Sequence, residues 1–253
     1  MDLTNYPYFQ FRGRKSNEFR MRIRNELEFV IPETALEFIE VDGLDSDVIY
    51  DKGKRKDIEK VFPVRIYREK DTTIAMQLRN IVAWLYLDKS YSPLIFSEQE
   101  EYYYQALGYN QITARDERRE WLDVDFSFKC QPFVFRLDGD HERDISNNGI
   151  ITNPEAFPSL PIISFNKTSS TQDSNIYING FQFRIAKEAG TGKIILDCEH
   201  GIAYKENGIN VTKYCFLNDD GYNPITLQPG QNKISYSYVD SFKITPKWRT
   251  LAI

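Results

Sequence analysis

Histidine is almost absent from this chain of 253 residues: only His141 and His200 occur. Cysteine is nearly as scarce, and Cys130, Cys198 and Cys215 form an odd set without pair spacing. That leaves little material for a disulfide framework or a Cys/His metal centre. No apolar run approaches the roughly 20 residues of a spanning helix. The opening Met1-Asp2-Leu3-Thr4 lacks the basic region and apolar run of a secretory leader. The expectation is a soluble protein folded in a reducing cytoplasm, without a membrane partner. A basic half is missing too. Residues 1–135 hold 20 Lys/Arg against 24 Asp/Glu, and the remainder 12 against 13, with a net charge of −5. A nucleic-acid binder must neutralise phosphates, so stable binding to DNA or RNA is not expected. There is no Gly-x-Ser-x-Gly elbow. Gly190-Thr191-Gly192-Lys193 lacks the strand-loop spacing of a phosphate loop and reads as a hairpin turn. Neither an enzyme nor a cofactor is expected.

What the chain does have is aromatic, strand-like sequence, with 16 Tyr and 17 Phe. Its length suits two domains, each able to bury its own core. Phe19, Met21 and Ile23 alternate with Arg20, Arg22 and Arg24, the period of a half-buried strand. The outward arginines read as a solvated or salt-bridged face; the sharper reading is a contact between subunits, because arginine is enriched at interfaces. Leu36 to Val41 gives another strand, with a turn at Asp42-Gly43 and Asp45-Ser46. Residues 51–60 form a charged run that looks like a hairpin arm and is read as a solvated loop before the next strand, Val64 to Arg68. One helix is predicted: Asp71, Thr72 or Thr73 caps it, and Ile74, Leu78, Ile81 and Leu85 recur at helical spacing with Ala75, Val82 and Trp84. Leu122, Val124, Phe126 and Phe128 form a strand buried on one side, and Pro132 is expected to break it. The polar, turn-rich stretch Leu137 to Asn148 reads as a linker, dividing the chain into domains 1–136 and 137–253. Beyond it, short strands and turns follow at sandwich-like spacing.

Three clusters invite chemical readings. Asp197-Cys198-Glu199-His200 has no second Cys or His at ligand spacing and reads as a turn. Asp219-Asp220-Gly221 with Asn223 lacks the distal acid of a calcium loop. Glu98, Glu100 and Glu101 before Tyr102-Tyr103-Tyr104 form a solvated turn, since adjacent acids do not make a glycosidase pair.

In order along the chain, Phe9-x-Phe11-x-Gly13-x-x-Ser16, Val41-x-Gly43-x-Asp45 with Val48-Ile49, and Phe128-x-Cys130-x-Pro132 are followed by Asn153-Pro154, Pro161, Ile178-Asn179-Gly180, Ile195-x-Asp197 and Leu227-x-Pro229-Gly230-x-Asn232-x-Ile234. This series resembles the distal tail protein (Dit) family of phages with long, non-contractile tails (siphophages) that infect Gram-positive bacteria. Two turns depart from the family pattern: Gly43-Leu44-Asp45-Ser46 stands in place of Gly-Arg-Asp-Gly, and Asn153-Pro154-Glu155 in place of Asn-Pro-Gly. Leu44 and Ser46 put the geometry of the first turn in question, because a Cβ resists positive φ. The resemblance implies a mainly β fold: an N-terminal β domain with one α-helix and a projecting hairpin, and a C-terminal galectin-like β-sandwich. It also implies a homo-hexameric ring at the virion tail tip, assembled in the host cytoplasm. Its partners would be the tail tube protein and the tip or adsorption protein, with the tape-measure protein and DNA passing through the channel. By that analogy Lys52, Lys54, Arg55 and Lys56 on the hairpin and Arg79 on the helix join Arg20, Arg22 and Arg24 as candidate ring contacts. The alternative is a carbohydrate-binding module for host cell-wall glycan, with Tyr177, Tyr204, Tyr222 and Trp248 available to stack on a sugar.

Overall fold

The computed structural model of the chain describes residues 3, 6–24, 27–118, 120–215, 217, 218, 221, 222 and 225–253. The fold is mainly β with a single α-helix among the described residues. Two compact units are present, Met1–Val134 with Leu251–Ile253, and Phe135–Thr250. The sequence-based division at 136/137 lies two residues further along and does not separate off the last three residues. Residues 137–148 are folded rather than a linker: Gly139 O accepts from Lys247 N at 2.9 Å, and Lys247 pairs with Asp140 at 2.9 Å.

The first unit contains β1 (Phe9–Phe11), β2 (Arg14–Lys15), β3 (Met21–Ile23), β4 (Thr34–Ile39), β5 (Val48–Arg55), β6 (Ile58–Tyr67), α1 (Ile74–Tyr86), β7 (Ser92–Phe96), β8 (Tyr102–Gly108), β9 (Arg115–Arg118) and β10 (Trp121–Arg136). The main sheet runs β2-β1-β7-β8-β10-β6-β3. Its inner face is aromatic: Phe9, Phe11, Phe62, Phe126 and Phe128 are fully buried, with Phe9 and Phe62 centroids 4.8 Å apart. The first motif is thereby explained. Phe9 and Phe11 fill the core, Gly13 (φ 75°) turns β1 into β2, and the buried Ser16 hydroxyl accepts from Phe9 N. Phe19 lies in a 3₁₀ turn rather than a strand, but is buried with Met21 and Ile23 as the alternation requires.

Helix α1 begins at Thr73, whose hydroxyl accepts from Met76 N as a cap. Ile81, Trp84 and Leu85 are buried, while Ala75 and Val82 are exposed. Two polar anchors strap the helix down. Trp84 Nε1 donates to Phe11 O at 2.9 Å; Gln77 donates to Phe19 O and Tyr67 O and accepts from Glu69 N. Gln77 is invisible to a hydrophobic pattern, because its burial depends on those carbonyls. Strand β10 continues past Pro132 to Arg136, contrary to expectation. Its pairing register with β6 ends at Cys130, and Pro132 offers its carbonyl to Ala252 N, so the missing N–H costs no β6–β10 ladder bond.

The second unit contains β11 (Arg143–Asp144), β12 (Ile150–Asn153), β13 (Ile162–Lys167), β14 (Ser174–Ile178), β15 (Phe181–Ile185), β16 (Gly192–Asp197), β17 (Ile202–Lys205), β18 (Leu217–Asn218), β19 (Gly221–Tyr222), β20 (Gly230–Ser237) and β21 (Val239–Thr245); β22 (Arg249–Leu251) leads back to the first unit. One sheet runs β11-β21-β13-β16-β17 and the other β12-β20-β14-β15-β18-β19. Ile163, Phe165, Ile194 and Ile244 from the first share a core with Ile176, Phe183 and Ile234 from the second. Buried polar groups hold the turns. The amide of Asn232, fully buried, donates to Gln228 O and Gly230 O and accepts from Gln228 N and Asn179 Nδ2. Lys167, buried, gives its ammonium to Ser169 O, Gln172 O and Ser174 Oγ.

Candidate assembly surface

Strands β4 and β5 form a two-stranded sheet of their own. Phe38 pairs with Ile49 and Ile39 with Val48. Alternation places Leu36, Phe38 and Ile49 on one face and Ile39, Val48 and Tyr50 on the other. Both faces are exposed, with Phe38 at 61% and Ile49 at 60%. Ten exposed large apolar side chains lie between Phe29 and Tyr50. An isolated hairpin of this kind satisfies its inner backbone groups but buries no apolar face, and contiguous exposed apolar surface marks an interaction site. The tip turns as the sequence suggested: Leu44 N donates to Val41 O, and Gly43 (φ 90°) takes the left-handed position. Leu44 and Ser46 keep negative φ, so the departures from the family turn bring no strain. The hairpin is bipolar. Glu40, Asp42, Asp45 and Asp47 occupy the tip, and Lys52, Lys54, Arg55 and Lys56 the base.

The charged run 51–60 is therefore not a loop but the end of β5 and the start of β6. Within it Gly53 (φ 67°), whose N–H donates to Asp51 Oδ1, forms a bulge where the register shifts between Thr34 and Leu36. Lys52 pairs with Glu37 at 2.9 Å and Lys56 with Glu33 at 3.0 Å, while Arg55 Nη1 donates to Thr34 Oγ1. These contacts zip the base of the arm. Lys54 is exposed, as is Arg79 on α1.

The three arginines near β3 divide. Arg20 has φ 57° as the cap of the 3₁₀ turn, so it is not a strand residue. Arg24 bridges Asp123 and Asp125, at 3.5 and 3.0 Å. The Arg22 guanidinium lies 4.2 Å over the Tyr6 ring. Beside it opens a groove of about 480 Å³ lined by Tyr6, Arg22, Arg24, Leu27, Phe29 and Lys60. Lys60 is buried, its ammonium donating to Glu28 O and Ile253 O, and burial holds its pKa below the ordinary lysine value. The structure thus brings Arg22 and Arg24 to one groove, and places Arg79 and the hairpin bases elsewhere on the first unit. Sequence reasoning missed Lys60 as a groove wall, because a lysine at an inward strand position has no apolar signature.

The remaining chemical candidates fall into turns. Asp197 accepts from His200 N and pairs with its Nδ1 at 2.8 Å, which raises the His200 pKa. Burial pushes the Cys130 and Cys215 thiols up to about 12, and Cys198 higher, so none is a ready nucleophile near neutrality. The cluster at Asp219, Asp220, Gly221 and Asn223 lies outside the described residues or side chains. Among the aromatics offered to a sugar, Trp248 is 1% exposed and presents no stacking face. Tyr177 and Tyr204 are half-buried, and the Tyr222 side chain is outside the description.

No protein-family model matches the chain, and no curated protein matches it. Solved structures do. The Dit protein of phage SPP1, described as a paradigm of the hub adsorption apparatus in phages infecting Gram-positive hosts, is 15% identical and superimposes with a TM-score of 0.72 over 95% of this chain and 97% of its own. Chains of the phage P2 baseplate in its activated conformation give TM-scores of 0.50 with calcium and 0.51 with strontium, at 7% and 8% identity, covering 94% and 98% of this chain and 96% and 99% of theirs. The chain has the fold of a phage tail hub protein along nearly its whole length.

Proposed function

We propose that this protein is a structural, non-enzymatic subunit of a phage tail hub. Copies of the first domain (1–136) close into a ring, hexameric by the family resemblance, that joins the tail tube protein to the tip or adsorption proteins at the virion tail tip. The second domain (137–253) is a galectin-like β-sandwich. The ring channel passes the tape-measure protein and DNA without stable binding, which the acid excess of the first half suits. Assembly takes place in the host cytoplasm. The observation that carries the reading is the end-to-end correspondence in fold with a hub protein. The unburied hairpin agrees with it physically, because a protomer that exposes apolar side chains on both faces of one arm is incomplete alone. The test is the mass of the purified chain in solution by light scattering, followed by electron microscopy. A closed multimer with a central hole is expected. A monomer at micromolar concentration, alone and with a tail-tube or tip protein, overturns the reading.

A further inference from the structure

We propose that Leu251–Ile253 is a strap held in place for the first unit by the second, so that the first unit reaches full stability only once the second has folded. The segment belongs to the first unit although Phe135–Thr250 intervenes in the chain. Ala252 is fully buried in the aromatic core of that unit, and its N–H donates to Pro132 O at 3.0 Å. Strand β22 pairs with β10 beside it. Ile253 O accepts twice, from the Tyr104 hydroxyl at 2.5 Å and from Lys60 Nζ at 3.0 Å. Both donors sit deep: Tyr104 is 1% exposed and Lys60 3%. Among the described residues, the only other acceptor for that ammonium is Glu28 O, at 3.4 Å. The strap thus covers core surface and satisfies two buried donors at once. Without it, the apolar surface at Ala252 is bared to water and both donors lose their acceptor.

Chain entropy makes the second unit the holder of the strap. Bringing residues 251–253 back to β10 closes a loop of roughly 115 residues, and closure probability falls as about the three-halves power of loop length, on the order of a thousandfold here. The folded second unit removes most of that penalty, because its own two ends lie side by side. Arg136 N donates to Trp248 O, and Lys247 N to Gly139 O, both at 2.9 Å. When the second unit folds, the strap is delivered next to Pro132; when it does not, the strap is lost in a long loop. The coupling passes through the chain itself. Within the hub reading it gives assembly a checkpoint: the first unit, which carries the proposed ring contacts, is unfinished in any chain whose second unit is not folded.

Hydrogen exchange of the full chain, read by mass spectrometry on β6 and β8 in the first unit and on β13 and β16 in the second, tests this. Ile194 and Ile234 are fully buried in the second core, so I194D/I234D places two carboxylates there and unfolds that unit. Exchange in β6 and β8 is then expected to rise by about a hundredfold or more, although neither substitution lies in the first unit. Ala252→Asp, which breaks the strap alone, should speed β6 and β8 while β13 and β16 stay protected. A milder variant separates the strap from any other route between the units. Tyr104→Phe removes only the hydroxyl that holds Ile253 O, and should speed β8 by about fivefold in the otherwise unchanged chain. In the I194D/I234D background, where the strap is already lost, its effect should fall below about twofold. First-unit protection that survives I194D/I234D within about threefold, or a Tyr104→Phe effect of equal size in both backgrounds, overturns the proposal. Either result leaves the hub reading standing, because that reading is decided by the solution mass.

Discussion

Two hairpins behave in opposite ways in this molecule. In β14–β15, Ile176, Ile178, Phe183 and Ile185 are buried, while Asn175, Gln182 and Arg184 on the other face are polar. In β4–β5 both faces are apolar and both are exposed. Each has a left-handed glycine at its turn, Gly180 at φ 87° and Gly43 at φ 90°. Both turns thus use the freedom of glycine, and the hairpins differ in how many faces need covering. One apolar face is satisfied by the sandwich core; two apolar faces with no core beneath them call for an outside partner.

The sharpest way to break this comparison is to truncate one phenylalanine in each hairpin. Phe183→Ala should cost about 3–5 kcal/mol in urea denaturation, because it empties core volume. Phe38→Ala, at a site 61% exposed, should change monomer stability by about 0.5 kcal/mol or less, while its effect appears in the solution mass. Equal losses of stability would mean that the β4–β5 arm is packed on its own chain, and the contrast would fail.

A smaller effect tests the turn anchors on the embedded side. Asn232→Ala removes an amide that satisfies four polar groups, and should cost about 2–3 kcal/mol by thermal or urea unfolding because buried partners are left unpaired. No carbonyl or amide of the β4–β5 turn depends on a comparable buried side chain among the described residues. A loss below about 0.5 kcal/mol would mean that water replaces the amide.

The smallest effect concerns pH. Asp197 raises the His200 pKa above its ordinary 6.5. The pair therefore contributes its full stability below about pH 6.5 and loses it as pH rises through the raised folded value. His200 is largely exposed, so the contribution is about 0.5 kcal/mol or less. Titration of His200 by NMR should give a pKa above 6.5 that falls in Asp197→Asn; an unchanged value in the variant would exclude the pairing.

Much of the fold was legible in the sequence because its signals are local. The alternation of Leu122, Val124, Phe126 and Phe128 marked β10, and Ile81 with Leu85 marked the buried stripe of α1. The candidate surface was less legible. The charged run 51–60 suggested a loop, since Lys and Asp are poor strand formers, but cross-strand pairs such as Lys52–Glu37 hold it in β5. Trp248 read as an available aromatic, although Gly139 leaves room for its backbone: a Cβ there would lie 2.6 Å from Trp248 N.

The sequence by itself determined where the chain turns and which strands alternate, because left-handed φ and a period of two are imposed by sterics within a few residues. Gly43, Gly180 and the Phe9-x-Phe11 pattern needed no tertiary information. Only the tertiary structure decided which polar groups went inside and which apolar ones stayed out. Lys60 and Gln77 are buried because distant carbonyls meet them, at Ile253, Phe19 and Tyr67. Phe38 and Ile49 remain exposed because no part of the described chain covers them. Burial depends on non-local surfaces meeting, and for the β4–β5 arm no such surface lies among the described residues.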